Sequence, residues 1–261
     1  MIINRRIFIA FNLAILATAC TNFNSSKKQQ KINLTISVAS SVQNAMKDIQ
    51  ILYRKKTPNV YINYNFGSSG SLQQQIEQGA PTDVFLSAAP KQMDTLQKKG
   101  LLLTETRHNL LKNRVVLIVL KRINDNLTFE SLNKAEFKKI ALGDPASVPA
   151  GQYGKEVLNY LKLYKKIDSK LVFGKNTRQI LFYVETGNVD AGLVYETDVR
   201  VSNNVKIVDR APESYHSPII YPISVIKDSK HPEEAKKFTE FLFSEEVKNI
   251  FKSHGFSLVK D

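Results

Sequence analysis

Ile32-Asn-Leu-Thr-Ile-Ser-Val38 is a β-rich run, and the period changes directly after it. Val42, Ala45, Met46, Ile49, Leu52 and Tyr53 fall on one face of a helix. Pro58-Asn59 breaks that pattern, and Val60-Tyr-Ile-Asn-Tyr-Asn-Phe66 returns to strand. Strand, helix and strand joined by short loops predict an α/β fold whose sheet is mainly parallel and covered on both faces.

The same grammar continues in both directions. After Gly67-Ser-Ser-Gly-Ser71 a short helix is expected from Leu72 to Gln78, a strand at Asp83-Val-Phe-Leu-Ser87 and a helix from Pro90 to Lys99. Further strands are expected at Arg114-Val-Val-Leu-Ile-Val-Leu120, Ile140-Ala-Leu142, Leu171-Val-Phe173, Ala191-Gly-Leu-Val-Tyr195, Val205-Lys-Ile-Val208 and Ile223-Ser-Val-Ile226. Amphipathic helices are expected from Tyr153 to Lys166 and from Thr177 to Thr186, with a terminal helix pair from Pro232 to Ser253. The strands fall into two clusters of similar size, which points to two α/β lobes.

Composition narrows the function. With 43% apolar residues the chain can bury a core. One cysteine excludes an internal disulfide framework and any cysteine-rich metal site. His108, His216, His231 and His254 show no metal-ligand spacing. The net charge of +13 invites a nucleic-acid reading, but the lysines lie in dispersed pairs such as Lys55-Lys56 and Lys165-Lys166, near expected helix ends. A solvated basic surface is the better reading, and no nucleic-acid partner is expected.

The N-terminus reads as an address. Residues 1–20 combine Arg5-Arg6, an apolar stretch from Ile7 and small residues ending at Cys20. This is a secretory signal. It resembles a bacterial lipoprotein signal, in which residues 1–19 are removed and Cys20 is lipidated; Ala17 stands where that pattern usually has Leu. Residues 20–30 read as a tether. The expected workplace is extracytoplasmic, lipid-anchored to the cell membrane or periplasmic, and no phosphate-loop motif appears.

Four turns share one character. Ser40-Ser41, Ser68-Ser69, Pro149-Ala150 and Asn176-Thr177 each precede an expected helix. Helix starts offer free N–H groups and partial positive charge, suited to an anion. Ligands in open α/β sheets bind beyond the carboxyl ends of strands. The plainer reading of each turn is an ordinary helix cap. Asp83 reads as structural, Asp144 before Pro145 as turn chemistry, and Arg178 as a solvated surface side chain.

Around these turns the sequence resembles the periplasmic molybdate-binding proteins of ABC transporters. The likeness is carried by Val38-Ala-Ser-Ser-Val-Gln-Asn-Ala-Met46, Phe66-Gly-Ser-Ser-Gly-Ser-Leu72, Ile76-Glu-Gln-Gly-Ala-Pro-Thr-Asp-Val-Phe-Leu-Ser-Ala88, Gly143-Asp-Pro-Ala-Ser-Val-Pro-Ala-Gly151, Ala191-Gly-Leu-Val-Tyr195 and Ile250-Phe-Lys-Ser-His-Gly-Phe256. It runs from Lys31 to Val259 in order. The resemblance implies a two-lobed periplasmic-binding-protein fold of type II, with mixed sheets, helices on both faces and a ligand cleft between the lobes. Lobe one would comprise residues 31–113 and 217–261, and lobe two residues 114–216. It implies a monomeric receptor with no cofactor, which captures molybdate and tungstate for a membrane permease. The ligand contacts carry over to Ser41, Ser69, Ala150, Thr177 and Tyr195, and molybdenum would arrive only as the oxyanion. Ser40 stands where an alanine is common, so either Ser40 or Ser41 could donate the hydroxyl, and the Thr177 hydroxyl could add a donor.

Turns without acids suit fully deprotonated dianions and disfavour hydrogen phosphate, whose proton needs an acceptor. A receptor for sulfate or another oxyanion is the alternative within the class. A serine hydrolase is the alternative outside it; it lacks a Gly-x-Ser-x-Gly elbow, and His216 is its least poor base. If Cys20 carries the anchor, Cys20→Ala should remain unprocessed or move to the soluble fraction. Recovery of parent and variant in the same membrane fractions, followed by immunoblot, would remove the anchor.

Overall fold

The computed structural model describes residues 31–123 and 126–259. The signal, the tether and Cys20 lie outside the described residues. Residues 31–261 form one compact unit containing two sheets. Among the described residues no helix is long and apolar enough to cross a membrane.

The first sheet has six strands: β1 (Ile32–Ala39), β2 (Val60–Gly67), β3 (Val84–Leu86), β4 (His108–Lys112), β10 (Ile220–Val225) and β11 (Ser257–Leu258), in the order β11-β4-β10-β3-β1-β2. The second has five: β5 (Val115–Leu120), β6 (Ile140–Gly143), β7 (Leu171–Gly174), β8 (Ala191–Tyr195) and β9 (Val205–Arg210), in the order β7-β6-β8-β5-β9. The chain leaves the first sheet through Asn113-Arg114 and returns to it after β9.

Both sheets are mixed, as the resemblance implies, and the mainly parallel pairing expected from element order alone holds for only part of each. β1 is parallel to β2 and β3, and β6 is parallel to β7 and β8. These are the pairs linked by helical crossovers, which parallel strands require. β10 runs antiparallel to β3 and β4, and β5 runs antiparallel to β8 and β9. These are the strands through which the chain enters or re-enters a sheet, so no βαβ unit constrains their direction.

Helix α1 (Gln43–Lys56) buries Ala45, Met46, Ile49 and Tyr53, the stripe visible in the sequence. α2 (Ser69–Glu77) and α3 (Pro90–Lys98) follow β2 and β3. α4 spans Pro149–Tyr160 and α5 Thr177–Glu185. A four-residue helix, α6 (Glu196–Val199), follows β8, and α7 (Pro232–Phe241) and α8 (Glu245–Ser253) close the chain. α4 begins four residues before the expected start at Tyr153, because Pro149 occupies a first-turn position where its missing N–H costs nothing. It ends before Lys166, because Lys162 has φ +56° and the backbone turns left-handed there.

The β6–α4 turn is packed against its own strand. A Cβ on Gly151 would stand 1.9 Å from the Gly143 carbonyl oxygen. Gly151→Ala should force the helix start off β6, a cost of about 1–3 kcal/mol or more. At roughly 2–4 °C per kcal/mol for a body this size, the thermal midpoint should fall by roughly 2–12 °C. A circular-dichroism melt superimposable on the parent's would show that the turn relaxes freely.

Candidate functional site

Strand register brings the four turns together in pairs. Ala39 pairs with Gly67, so β1 and β2 deliver Ser40-Ser41 and Ser68-Ser69 side by side. Gly143 pairs with Gly174, so β6 and β7 deliver the starts of α4 and α5 side by side. The two pairs meet across the sheets: the Gly70 N–H donates to the Ser147 carbonyl at 2.9 Å. The Tyr195 hydroxyl lies 3.3 Å from the Ala88 carbonyl, and the Ala88 N–H donates to Ser69 Oγ at 2.9 Å. Ser69 and Tyr195, one from each half, therefore converge on one main-chain unit.

All five sequence-derived residues are buried, between 0 and 5% exposed. Among the described residues, the N–H groups of Ser41, Ser69, Ala150 and Thr177 have no hydrogen-bond partner. Buried backbone donors are almost always paired, and each orphan costs about 1–3 kcal/mol. Four of them at the carboxyl ends of two sheets make a donor set that an acceptor-rich anion would complete.

The side chains divide into caps and donors. Ser68 Oγ accepts from the Ser71 N–H, and the Asn176 side chain accepts from the Gln179 N–H; these two are ordinary helix caps. Ser41 lies elsewhere. Asn113 Nδ2 donates to the Tyr221 hydroxyl at 3.0 Å, and the Tyr221 and Ser41 hydroxyls are 3.1 Å apart. Tyr221 accepts from Asn113, and either hydroxyl of the Ser41–Tyr221 pair can donate to the other; when Tyr221 donates, the Ser41 proton faces the donor set. Ser69 Oγ likewise accepts from Ala88 and keeps its own proton. Between the two serines of the first turn, it is Ser41 whose hydroxyl joins this network.

Burial pushes the phenols of Tyr195 and Tyr221 well above their usual range, so both are neutral donors at any physiological pH. Their rings are 5.7 Å apart. Asn113 also donates to Thr197 Oγ1 at 2.8 Å and accepts from the Arg114 N–H, so it ties the crossover strand to both halves.

Two sequence expectations are corrected. The Thr177 hydroxyl donates to Asp198 Oδ1 at 3.1 Å, so it adds no donor to the set and Thr177 contributes its N–H. Arg178 is no solvated surface residue: its Nε lies 3.4 Å from the Ser40 carbonyl and 3.9 Å from Asp198 Oδ1. The four turns hold no acid against the donors, as read from sequence, but one carboxylate lies behind them. Asp198 is fully buried behind Thr177 and Tyr195, and it accepts from the Tyr195 N–H at 3.3 Å. Asp198, Asn113 and Tyr221 were not singled out from sequence. The three-residue step from Tyr195 to Asp198 was the only local signal, since Tyr195 precedes α6 and Asp198 closes its capping box.

Other residues behave as expected. Asp83 accepts from the Thr35 N–H and the Ser229 hydroxyl, and Asp144 accepts from the Ala146 N–H and the Ser147 hydroxyl. His216 contacts the Ser217 carbonyl and the Tyr153 ring, and makes no hydrogen bond to Ser41 or Ser69. Among the described residues no group of three or more His, Cys, Asp or Glu could hold a metal ion.

Comparison with known proteins gives the family and the fold. The profile of the family described as bacterial extracellular solute-binding protein matches residues 34–257. A Bacillus subtilis chain provisionally named an ABC transporter substrate-binding lipoprotein is 48% identical over 253 residues, 96% of this chain and 97% of that one. A Haemophilus influenzae molybdate-binding protein is 36% identical over 228 residues, 86% of this chain and 89% of that one. The solved structure of an Azotobacter vinelandii periplasmic molybdate-binding protein superposes with a TM-score of 0.80 at 23% identity, covering 87% of this chain and 100% of that one; this likeness carries the fold.

Asp198 gives the site a pH signature. Burial raises its carboxyl from 3.8 to about 6, against the lowering pull of Arg178, the Thr177 hydroxyl and the Tyr195 N–H. A folded-state value above the unfolded one means that the folded form binds the proton more tightly. The Asp198 contribution is then most favourable below pH 4, is lost as pH rises to 6, and stays constant above. In urea titrations, the stability of the parent minus that of Asp198→Asn should fall by up to about 3 kcal/mol between pH 4 and pH 7. A difference independent of pH would show that Asp198 ionises as freely in the folded protein as in the unfolded chain.

Proposed function

Because the chain belongs to the bacterial extracellular solute-binding protein family, we propose that it captures molybdate, and tungstate as its near-isostere, and delivers the anion to an ABC permease. Its relatives are substrate-binding proteins, not enzymes, and it has the type II fold of two mixed sheets with helices. In this reading Cys20 anchors the processed protein to the membrane through residues 20–30. The lobes are residues 31–113 with 217–261, and residues 114–216.

One observation carries the reading: the four unpartnered N–H groups of Ser41, Ser69, Ala150 and Thr177, buried together with the hydroxyls of Ser41 and Ser69. A tetrahedral dianion has four oxygens and no proton, so neutral donors satisfy it without a formal countercharge. The Tyr195 phenol, held neutral by burial, donates to the Ala88 carbonyl at 3.3 Å and would turn from that long bond to a bound anion, adding a donor from the other half. Asp198 lies behind the donors, its two oxygens accepting from the Thr177 hydroxyl and the Tyr195 N–H, so it faces the donor set through those residues.

Isothermal titration with molybdate, tungstate, sulfate and phosphate tests the assignment. Molybdate and tungstate should bind at least about a hundredfold more tightly than sulfate, some 2.7 kcal/mol, with phosphate weaker still. Ser69→Ala and Tyr195→Phe should each weaken molybdate binding about tenfold or more, as the loss of a charge-assisted hydrogen bond requires. Equal affinity for sulfate would favour the sulfate-receptor alternative, and parent-like binding by both variants would remove the site.

A further inference from the structure

Two arginines outside the donor set join the halves beside it. Arg178 follows Thr177 on α5, which packs on the five-stranded sheet. Its guanidinium is anchored there by the buried Asp198, 3.9 Å away. From that anchor Nε reaches the Ser40 carbonyl at 3.4 Å and Nη2 reaches Asn44 Oδ1 at 3.3 Å, both in the β1–α1 segment of the six-stranded half. Arg200, directly after α6, makes a second crossing. Its Nη1 lies 3.4 Å from the carbonyl of Ser253, the last residue of α8. That carbonyl is at the negative end of the helix dipole, where a cation is favoured.

The second crossing has a built seat. Gly255 has φ +87°, and a Cβ there would stand 2.3 Å from Arg200 Nε and 2.9 Å from Cδ. The Arg200 side chain packs against this glycine, whose left-handed backbone ends α8. Arg178 and Arg200 share the wall of a cavity of about 310 Å³ with Ser41, Asn44 and His254. The two crossings thus flank the ligand serine on its solvent side.

We propose that Arg178 and Arg200 form a clasp that holds the two halves shut over the bound anion and sets its dissociation rate. They are positioning residues: the acceptors they touch are Ser40, Asn44, Ser253 and Asp198. Contacts that exist only when the halves meet stabilise the closed form relative to the open one. Such contacts slow release and leave encounter unchanged, whereas charges that steer an anion act on the association rate. The bonds are long, at 3.3–3.4 Å, and most of their acceptors are uncharged, so each is weak enough to open for delivery.

The inference rests on the oxyanion-receptor reading, and the test separates the two. Parent protein is loaded with labelled molybdate and chased with unlabelled molybdate, and association is followed separately at two ionic strengths. Arg200→Gln should release about threefold faster and Arg178→Gln/Arg200→Gln about tenfold faster, with association within about twofold of the parent. Unchanged release in both variants overturns the clasp. Slower association with unchanged release overturns it too, and makes the arginines an electrostatic lure. Arg178→Gln leaves Asp198 without its cation; if the double variant does not fold, Arg200→Gln alone decides. If the parent binds no oxyanion, the receptor reading fails instead. The clasp is then judged by solution scattering of the ligand-free proteins: a larger radius of gyration in the double variant supports it, and an unchanged radius overturns it.

Discussion

The hydrogen-bonding requirement of buried backbone N–H groups governs this protein. A helix start leaves its first N–H groups without internal partners. Most proteins turn such ends to water or cap them with side chains. Here Ser68 and Asn176 cap one N–H each, while those of Ser41, Ser69, Ala150 and Thr177 are buried without a partner. The rest of the architecture follows from assembling these ends: parallel strands β1 and β2 bring two, parallel strands β6 and β7 bring two, and the two sheets face their carboxyl ends to one another.

The electrostatics around this donor set are layered. Nearest are neutral groups: N–H, serine hydroxyls and a phenol kept protonated by burial. Behind them sits one buried carboxylate, Asp198, whose hydrogen bonds orient Thr177 and Tyr195. Arg178 offsets that charge from the far side. A buried carboxylate with so few partners is costly. Its raised proton affinity is the measure of that cost, and the two residues it orients are both in the donor set. The net charge of +13 is carried by lysines and arginines dispersed along the chain.

The two halves are held together by specific polar contacts near the donor set. Gly70 to Ser147, Tyr195 to Ala88, Asn113 to Thr197, and the two arginine crossings all join one sheet system to the other. Single hydrogen bonds contribute about 0.5–1.5 kcal/mol each, so a handful can bias closure without locking it. A receptor that must bind and then release needs that balance.

Local sequence determined the repeating units. The stripe Ala45, Met46, Ile49 and Tyr53 and the run from Val115 to Leu120 were legible because periodicity is a property of neighbouring residues. The four turns were legible as helix starts for the same reason, and the resemblance added Tyr195. β4 was not legible: His108-Asn-Leu-Leu-Lys112 neither alternates nor carries β-branched residues, and it is a strand because β10 and β11 flank it. The direction of β10 and β5 was equally hidden, since pairing across a sheet is decided by sheet order. The same holds for the site's supports. Ser41 meets Tyr221 across 180 residues and Asn113 meets Tyr221 across 108, and no local pattern encodes a contact of that span. Sequence alone determined which turns offer donors. Only the tertiary structure decided which residues the serine hydroxyls meet, that Thr177 gives its hydroxyl to Asp198, and that Arg178 reaches Ser40 in the six-stranded half, because each depends on partners brought in by another part of the chain.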